Sequence, residues 1–262
     1  MKKLFALALC LLVCLSLCAC SGQSETTLVV GFDAEFPPFG YVGEDGEYDG
    51  FDLAMAEELC KRLGWKFKAV PIDWNSKDAE LAAGSISCIW NGFTCTGREE
   101  EYTWSDPYVD NSIVAAVRAD SGIQSLNDLA GKTVMVQSAS SGADALNANE
   151  ALKSSLKQVV ELGDYSLGFL ELKQGTVDAV VADQGVVAYQ IANSGEDYVI
   201  LPEAVSAEQY AVGFLKGNTQ LRDQVNAELL KMAEDGTMMK IAQNYVDDGL
   251  VLESLCLCQN GQ

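Results

Sequence analysis

Histidine is absent from all 262 residues of the chain. That removes a Ser-His-Asp triad, a Cys-His pair and the common histidine zinc sites. Positive charge is scarce too: 17 lysines and arginines stand against 38 aspartates and glutamates, for a net charge of −21. With no basic patch to replace counterions, nucleic acid is excluded as a partner. No long apolar run follows Cys20, so no membrane-spanning segment is expected once the N-terminus is processed. Five further cysteines, Cys60, Cys88, Cys95, Cys256 and Cys258, form an odd set. In an exported protein that leaves at least one free or paired between molecules, and their pairing stays open. Cys60 falls on an apolar helical stripe and Cys88 in a buried strand, so both read as small core residues. Cys256-x-Cys258 has no second pair nearby, and neither a metal site nor a cofactor is read from it.

What is present begins with an export signal. Met1-Lys2-Lys3 precedes an apolar run from Leu4 to Ala19, too short to span as a mature helix. Leu17-Cys18-Ala19-Cys20 is similar to a bacterial lipoprotein signal, which needs a small residue before the acylated cysteine. Ala19 meets that need for Cys20, whereas Leu17 fails it for Cys18. Residues 1–19 are therefore read as a cleaved leader, Cys20 as the lipidated residue and 20–26 as a polar tether. Ordinary cleavage near Ala19 with release is the alternative. Loss of Lys2 and Lys3 makes the mature chain two charges more negative, and its length of about 240 residues suits two modest lobes or one large domain.

Hydrophobic patterning predicts alternating strands and helices. Leu28–Gly31 reads as a buried strand running into two prolines, Pro37 and Pro38, which stop any helix. Glu44–Gly50 reads as a hairpin or loop. Phe51, Met55, Leu59 and Leu63 then mark a helix ended by Gly64. Strands follow at 65–70 and 86–90, separated by a short helix at 78–83. A second α/β unit restarts at Ile113, with strands at 113–117, 132–137, 158–162 and 177–182. Its helices are a capped start at Ser125, a long one from Ser140 to about Lys153, and two more at 165–174 and 184–192. Strands at 198–201 and 209–215 and a helical end from Leu221 to Val246 complete the pattern. Strand-helix alternation of this kind predicts parallel α/β sheets.

One turn stands out chemically. Trp90–Arg98 (WNGFTCTGR) sets Arg98 just after a short buried strand, behind Gly92, Thr94 and Thr96. The planar guanidinium matches a carboxylate bidentately, so this turn suits a small anionic group. A surface ion pair is the simpler use of a lone arginine.

With these pieces placed, the mature chain resembles the extracytoplasmic solute-binding proteins of polar amino-acid ABC transporters, of the bacterial family 3 type. The resemblance rests on FDAEFPPF at Phe32–Phe39, GFDLAMAEELCKRLGW at Gly50–Trp65, and WNGFTCTGR with SDPY at Ser105–Tyr108. QSASSGADAL at Gln137–Leu146, VDAVVADQGVVAY at Val177–Tyr189 and EDGTMMKIAQNYV at Glu234–Val246 extend it in the same order. It implies a type II periplasmic-binding-protein fold, with two α/β lobes joined by two hinge strands and a ligand in the cleft. Lobe 1 would hold residues 27–115 and 212–262, and lobe 2 residues 116–211. It further implies a monomer, tethered by lipid on the extracytoplasmic face of the cell membrane, that delivers an amino acid to an ABC permease and its ATPase.

Carried over residue by residue, the resemblance gives Arg98 the ligand carboxylate, helped by Ser140 and Ser141 at a helix start where free N–H groups favour an anion. Asp183, at the carboxyl end of a strand, would take the ammonium, with helix N-capping as its other use. The Gly92 carbonyl and Thr94 can meet the ammonium, and the Thr94 N–H the carboxylate. Phe36 and Trp74 match the positions that flank the ligand side chain. Loop packing for Phe36 and core packing for Trp74 are the alternatives. Asp33 faces the side-chain end of the pocket or satisfies its own loop, Asn91 reaches a polar side-chain tip, and Trp90 is equally a core residue. Two departures matter. Only Gly97 separates Thr96 from Arg98, one residue fewer than the family pattern, and Ala139 stands where glycine is usual. Glu99, Glu100 and Glu101 are candidate competitors for Arg98.

The same fold hosts other functions. A dehydratase resembling the cyclohexadienyl type would need a carboxylate base such as Glu35 or Asp33, and a sensory subunit would be read by a membrane kinase. The chain is nonetheless read as a binding protein and not an enzyme. If Cys20 carries the anchor, Cys20→Ser protein expressed with its leader is expected in the soluble fraction; continued partitioning with membranes would contradict anchoring there.

Overall fold

The computed structural model describes residues 26–43 and 45–259. The leader, the expected lipidation site Cys20 and all of the tether but Thr26 lie outside the described residues. The chain opens with β1 (Thr27–Phe32), β2 (Glu35–Phe36), β3 (Gly40–Val42), β4 (Tyr48–Asp49) and α1 (Phe51–Leu63). Next come β5 (Lys66–Pro71), a 3₁₀ turn at Trp74–Ser76, α2 (Lys77–Ala83), β6 (Cys88–Ile89) and β7 (Thr103–Trp104). The second unit runs β8 (Val109–Arg118), β9 (Thr133–Gln137), α3 (Ser141–Ala148), α4 (Glu150–Ser155), β10 (Gln158–Leu162), α5 (Tyr165–Gln174), β11 (Ala179–Asp183), α6 (Gln184–Asn193), β12 (Tyr198–Ile200) and β13 (Ser206–Tyr210). β14 (Gly213–Phe214), α7 (Thr219–Glu234) and α8 (Thr237–Ala242) then return to the first unit.

Two main sheets result. The first has the order β5-β1-β6-β14-β7, with β1 parallel to both β5 and β6 and with β14 antiparallel to its neighbours. The second has the order β10-β9-β11-β8-β12, with β13 also paired to β8. β2, β3 and β4 form a small antiparallel sheet, which includes the hairpin expected from the polar Glu44–Gly50 stretch. The sheet changes between Trp104 and Val109 and again between Tyr210 and Gly213. β8 is a single ten-residue strand of the second sheet, so it carries residues on both sides of the 115/116 boundary expected from sequence.

The helices form where periodicity and caps agree. α1 buries Phe51, Leu53, Met55, Ala56, Leu59 and Cys60, starts with Asp52 in its first turn, and ends on Gly64 in the left-handed region. Two expectations are corrected. The helix expected from Ser140 to Lys153 is broken at Asn149, whose side chain accepts from the Leu152 N–H and so caps a second helix. The strand expected at 209–215 is two strands in different sheets, because Ala211 and Val212 carry the crossing. All five described cysteines are free, and burial pushes the Cys60 thiol up to about 12.

At Gly50 a close approach enforces glycine. Its φ is +136°, and a Cβ there would sit 2.3 Å from the Phe39 carbonyl oxygen and 2.7 Å from the Gly40 nitrogen. Neither backbone atom can rotate away. Gly50→Ala is therefore expected to cost about 2 kcal/mol or more in urea unfolding; an unchanged midpoint would show that the contact is not tight.

Candidate functional site

The strand ends of both sheets converge on one small cavity, with about 230 Å³ of space free of protein atoms. Phe36, Trp74, Gly92, Thr94, Arg98, Ser140, Ser141 and Asp183, each expected from sequence, line it together with Phe93 and Gln137. Asp33 and Asn91 stand just behind, tied to each other: the Asp33 N–H donates to Asn91 Oδ1 at 2.8 Å.

The turn after β6 is held rigidly. The Gly92 N–H donates to Asp52 Oδ2 at 2.6 Å, and the Tyr108 hydroxyl donates to the same oxygen at 2.7 Å. Asp52 is fully buried near the start of α1, with Oδ1 unpartnered. Burial pushes its carboxyl up to about 7 against the pull of these donors and the neighbouring Trp90. Gly92 itself faces Phe36, whose ring a Cβ would meet at 2.7 Å. Downstream, the turn is stitched to the returning chain: Ala211 donates to the Phe93 carbonyl, Cys95 donates to the Gln209 carbonyl, and Thr94 bridges Tyr210.

Arg98 closes this turn by donating its own N–H to the Cys95 carbonyl at 3.0 Å, and Gly97 at φ +80° makes the turn tight. Its side chain is 11% exposed and reaches Asp144 of α3, with Nη2 to Oδ2 at 2.6 Å. The guanidinium also lies 5.6 Å from the centre of the Phe93 ring. The competitor for Arg98 is thus Asp144 and not the Glu99–Glu101 run: Glu99 accepts from the Gly97 N–H, and Glu100 pairs with Lys216.

On the second lobe, Ser140 is the N-cap of α3, with Oγ accepting from the Ala143 N–H and donating to the Gln137 carbonyl. Helix start and Arg98 side chain together make an anion-favouring wall. Ala139, just before, has φ +55° and is the one non-glycine with positive φ among the described residues. That strain costs about 1 kcal/mol, and the Ala139 carbonyl accepts from buried Lys77 of α2 at 3.2 Å. Lys77 and the Asp33–Gln137 bond, 2.6 Å from Nε2 to Oδ2, also join the lobes. Burial raises Asp33 above its ordinary range and lowers the Lys77 amine.

Asp183 occupies the N-cap position of α6 without a side-chain cap bond. Its Oδ1 instead accepts from the Tyr210 hydroxyl at 2.5 Å and from Asn111 Nδ2 at 2.9 Å. Burial first, and the adjacent Glu208 carboxylate second, push Asp183 up to about 8. Phe36 packs on Phe39 and Tyr165, and Trp74 sits edge-on to Phe93, so each aromatic is both a wall of the cavity and a packed residue.

Sequence reasoning missed Gln137 and Glu208, and Asn111 and Asp144 with them. Gln137 was available at the carboxyl end of a strand, within a stretch already singled out. Asp144 lies in that same stretch, but its role, like those of Asn111 and Glu208, comes from pairing across strands and lobes.

A cavity lined from two hinged α/β lobes, cationic on one wall and anionic on the other, defines a type II periplasmic binding protein. The chain belongs to the bacterial extracellular solute-binding proteins, family 3, whose sequence profile matches residues 28–248. It is 28% identical over 228 residues to the L-cystine-binding protein TcyJ of Escherichia coli (strain K12), covering 85% of this chain and 84% of that protein. It is 30% identical over 257 residues to the lysine/arginine/ornithine-binding periplasmic protein of the same strain, covering 94% and 98%. Among solved structures, an ABC uptake transporter substrate binding protein from Streptococcus pneumoniae with bound histidine is 31% identical, with a TM-score of 0.82, covering 86% of this chain and 94% of that one.

The raised carboxyls give a pH dependence. Asp52 moves from an ordinary 3.8 to about 7, so between those values the folded protein binds a proton that the unfolded chain releases. Stability is therefore expected to fall as pH rises from about 4 to about 7, by roughly 2–4 kcal/mol from this group. Urea unfolding at pH 5 and pH 8 checks it, and Asp52→Asn is expected to flatten the difference. Equal or greater stability of the native chain at pH 8 would contradict the assignment.

Proposed function

We propose that this protein, tethered to the extracytoplasmic membrane face through Cys20, captures an α-amino acid between its lobes and hands it to an ABC permease driven by an ATPase. The observation that carries the reading is the polarity of one cavity. Arg98 and the α3 start stand on the side that suits a carboxylate, and buried Asp183 stands free of capping duty on the side that suits an ammonium. A zwitterion needs both partners at once, because desolvating either charge alone is costly. Phe36 and Trp74 supply apolar walls for the stem of the side chain. The ligand carboxylate would replace Asp144 on Arg98, since Asp144 is 64% exposed and gives up little by returning to water.

Relatives named for cystine and for lysine, arginine and ornithine support a polar amino acid as the solute. The solved structure with bound histidine supports the same class. No second reading is favoured by any feature of the site.

Calorimetric titration with the common amino acids and cystine is expected to reveal one ligand class bound one to one. Arg98→Ala and Asp183→Ala should each weaken binding by roughly 30-fold or more, the cost of leaving a buried charge without its partner. Unchanged affinity in both variants would remove these residues from the site.

A further inference from the structure

Asp183 does not stand alone at the anionic wall. Glu208 lies on β13 directly opposite Asn111 on β8, so the two side chains share one face of the sheet. On the other side of β8, Asp183 is opposite Ile113, two residues along and on that same face. Asn111 Nδ2 accordingly bridges the two acids, at 2.9 Å from Asp183 Oδ1 and 2.9 Å from Glu208 Oε1. Glu208 is buried, and the same Oε1 also accepts from Thr94 at 2.7 Å and from Ser141 at 3.2 Å, both cavity-lining residues from opposite lobes.

A further polar group sits beside this arrangement. The Tyr165 hydroxyl is buried and has no hydrogen-bond partner. It lies against Gly142, at the start of α3 beside Ser140, and its ring packs on that of Phe36. A structural acid pair would need no free hydroxyl beside it, whereas a seat for a multiply donating group would use one.

We propose that Glu208 is a second acidic determinant of the cleft, forming with Asp183 a two-carboxylate seat that selects solutes carrying a free ammonium group. This rests on the amino-acid reading above and refines it. An ammonium has three N–H donors pointing in different directions, and two carboxylates from different strands can receive them from more than one side. The seat discriminates by charge: a neutral or N-acylated solute would leave two buried acids facing each other without a cation.

Proton balance follows from the same arrangement. Burial raises both carboxyls, and the Glu208 charge raises Asp183 further. The other charged or titratable groups facing the pair are Tyr210, Tyr165, Cys95 and Arg98. Of these only Arg98 is cationic, and it is already engaged by Asp144. The free pair therefore retains a proton near neutrality, and an arriving ammonium drives it off into solvent. Capture favours the ionised pair, so acid opposes binding.

The test is calorimetry of the whole protein at pH 7 in phosphate and in Tris, whose different heats of ionisation report protons released, repeated from pH 6 to pH 8 with the tightest-binding amino acid. The wild type is expected to release close to one proton per ligand and to bind up to about tenfold more tightly per pH unit over that range. Glu208→Gln keeps acceptors for Thr94 and Ser141; it is expected to lower the release, make the pH profile shallower and weaken binding about tenfold at pH 8. Glu208→Asp should retain the release, and the N-acetylated ligand should bind at least tenfold more weakly to the wild type. Binding of the wild type without proton release, or a Glu208→Gln variant with the wild-type proton count and affinity, would overturn the two-carboxylate seat and leave amino-acid capture intact. A wild type that binds no amino acid in the set would overturn that reading, and this inference with it.

Discussion

A carboxylate taken out of water has to find donors, and around this cleft the donors come from distant stretches of the chain. Asp52 of α1 is met by the Gly92 N–H and the Tyr108 hydroxyl. Asp33, after β1, is met by Gln137 of the other lobe. Asp183, at the end of β11, is met by Asn111 of β8 and Tyr210 of β13. Each bond ties a ligand-facing segment to a residue distant in the chain. The geometry of the site is thus a consequence of satisfying buried acids, and the price is a set of carboxyls held above their ordinary range.

The cationic side is built differently. Arg98 follows Gly97, which has positive φ, and its side chain spans the lobes to Asp144. Lys77 does the same toward the strained Ala139 carbonyl. Aromatic contacts of Phe36 with Tyr165 and of Tyr41 with Tyr189 join the lobes as well, and the chain crosses between the two packed units at two strand connections, as a hinge requires. Ala139 holds the left-handed conformation in spite of its Cβ, in the turn that leads into α3.

Much of the fold was legible in the sequence because it is encoded locally. The Phe51–Leu63 stripe with its terminal Gly64, the β-branched run at β1 and the Asp183 strand end all rest on neighbours within one or two turns of chain. The break at Asn149 was not, since the periodic signal continues through it and only a side-chain cap divides the helix. The stretch 209–215 reads as one strand by composition, yet its two ends pair with different sheets. Within the site, the residues visible beforehand were those on turns and strand ends. Glu208 was hidden because its role depends on its register with Asn111, and Asp144 because it meets Arg98 only through the apposition of two lobes.

The central claim is that one cavity clamps a zwitterion by both ends. Native mass spectrometry of the protein mixed with an equimolar set of amino acids, N-acetylated amino acids and amino-acid amides tests it most directly. The account predicts one free α-amino acid retained at a ratio of one to one, with both kinds of blocked derivative rejected. Retention of a blocked derivative in preference to its parent, or of nothing from the set, would contradict it.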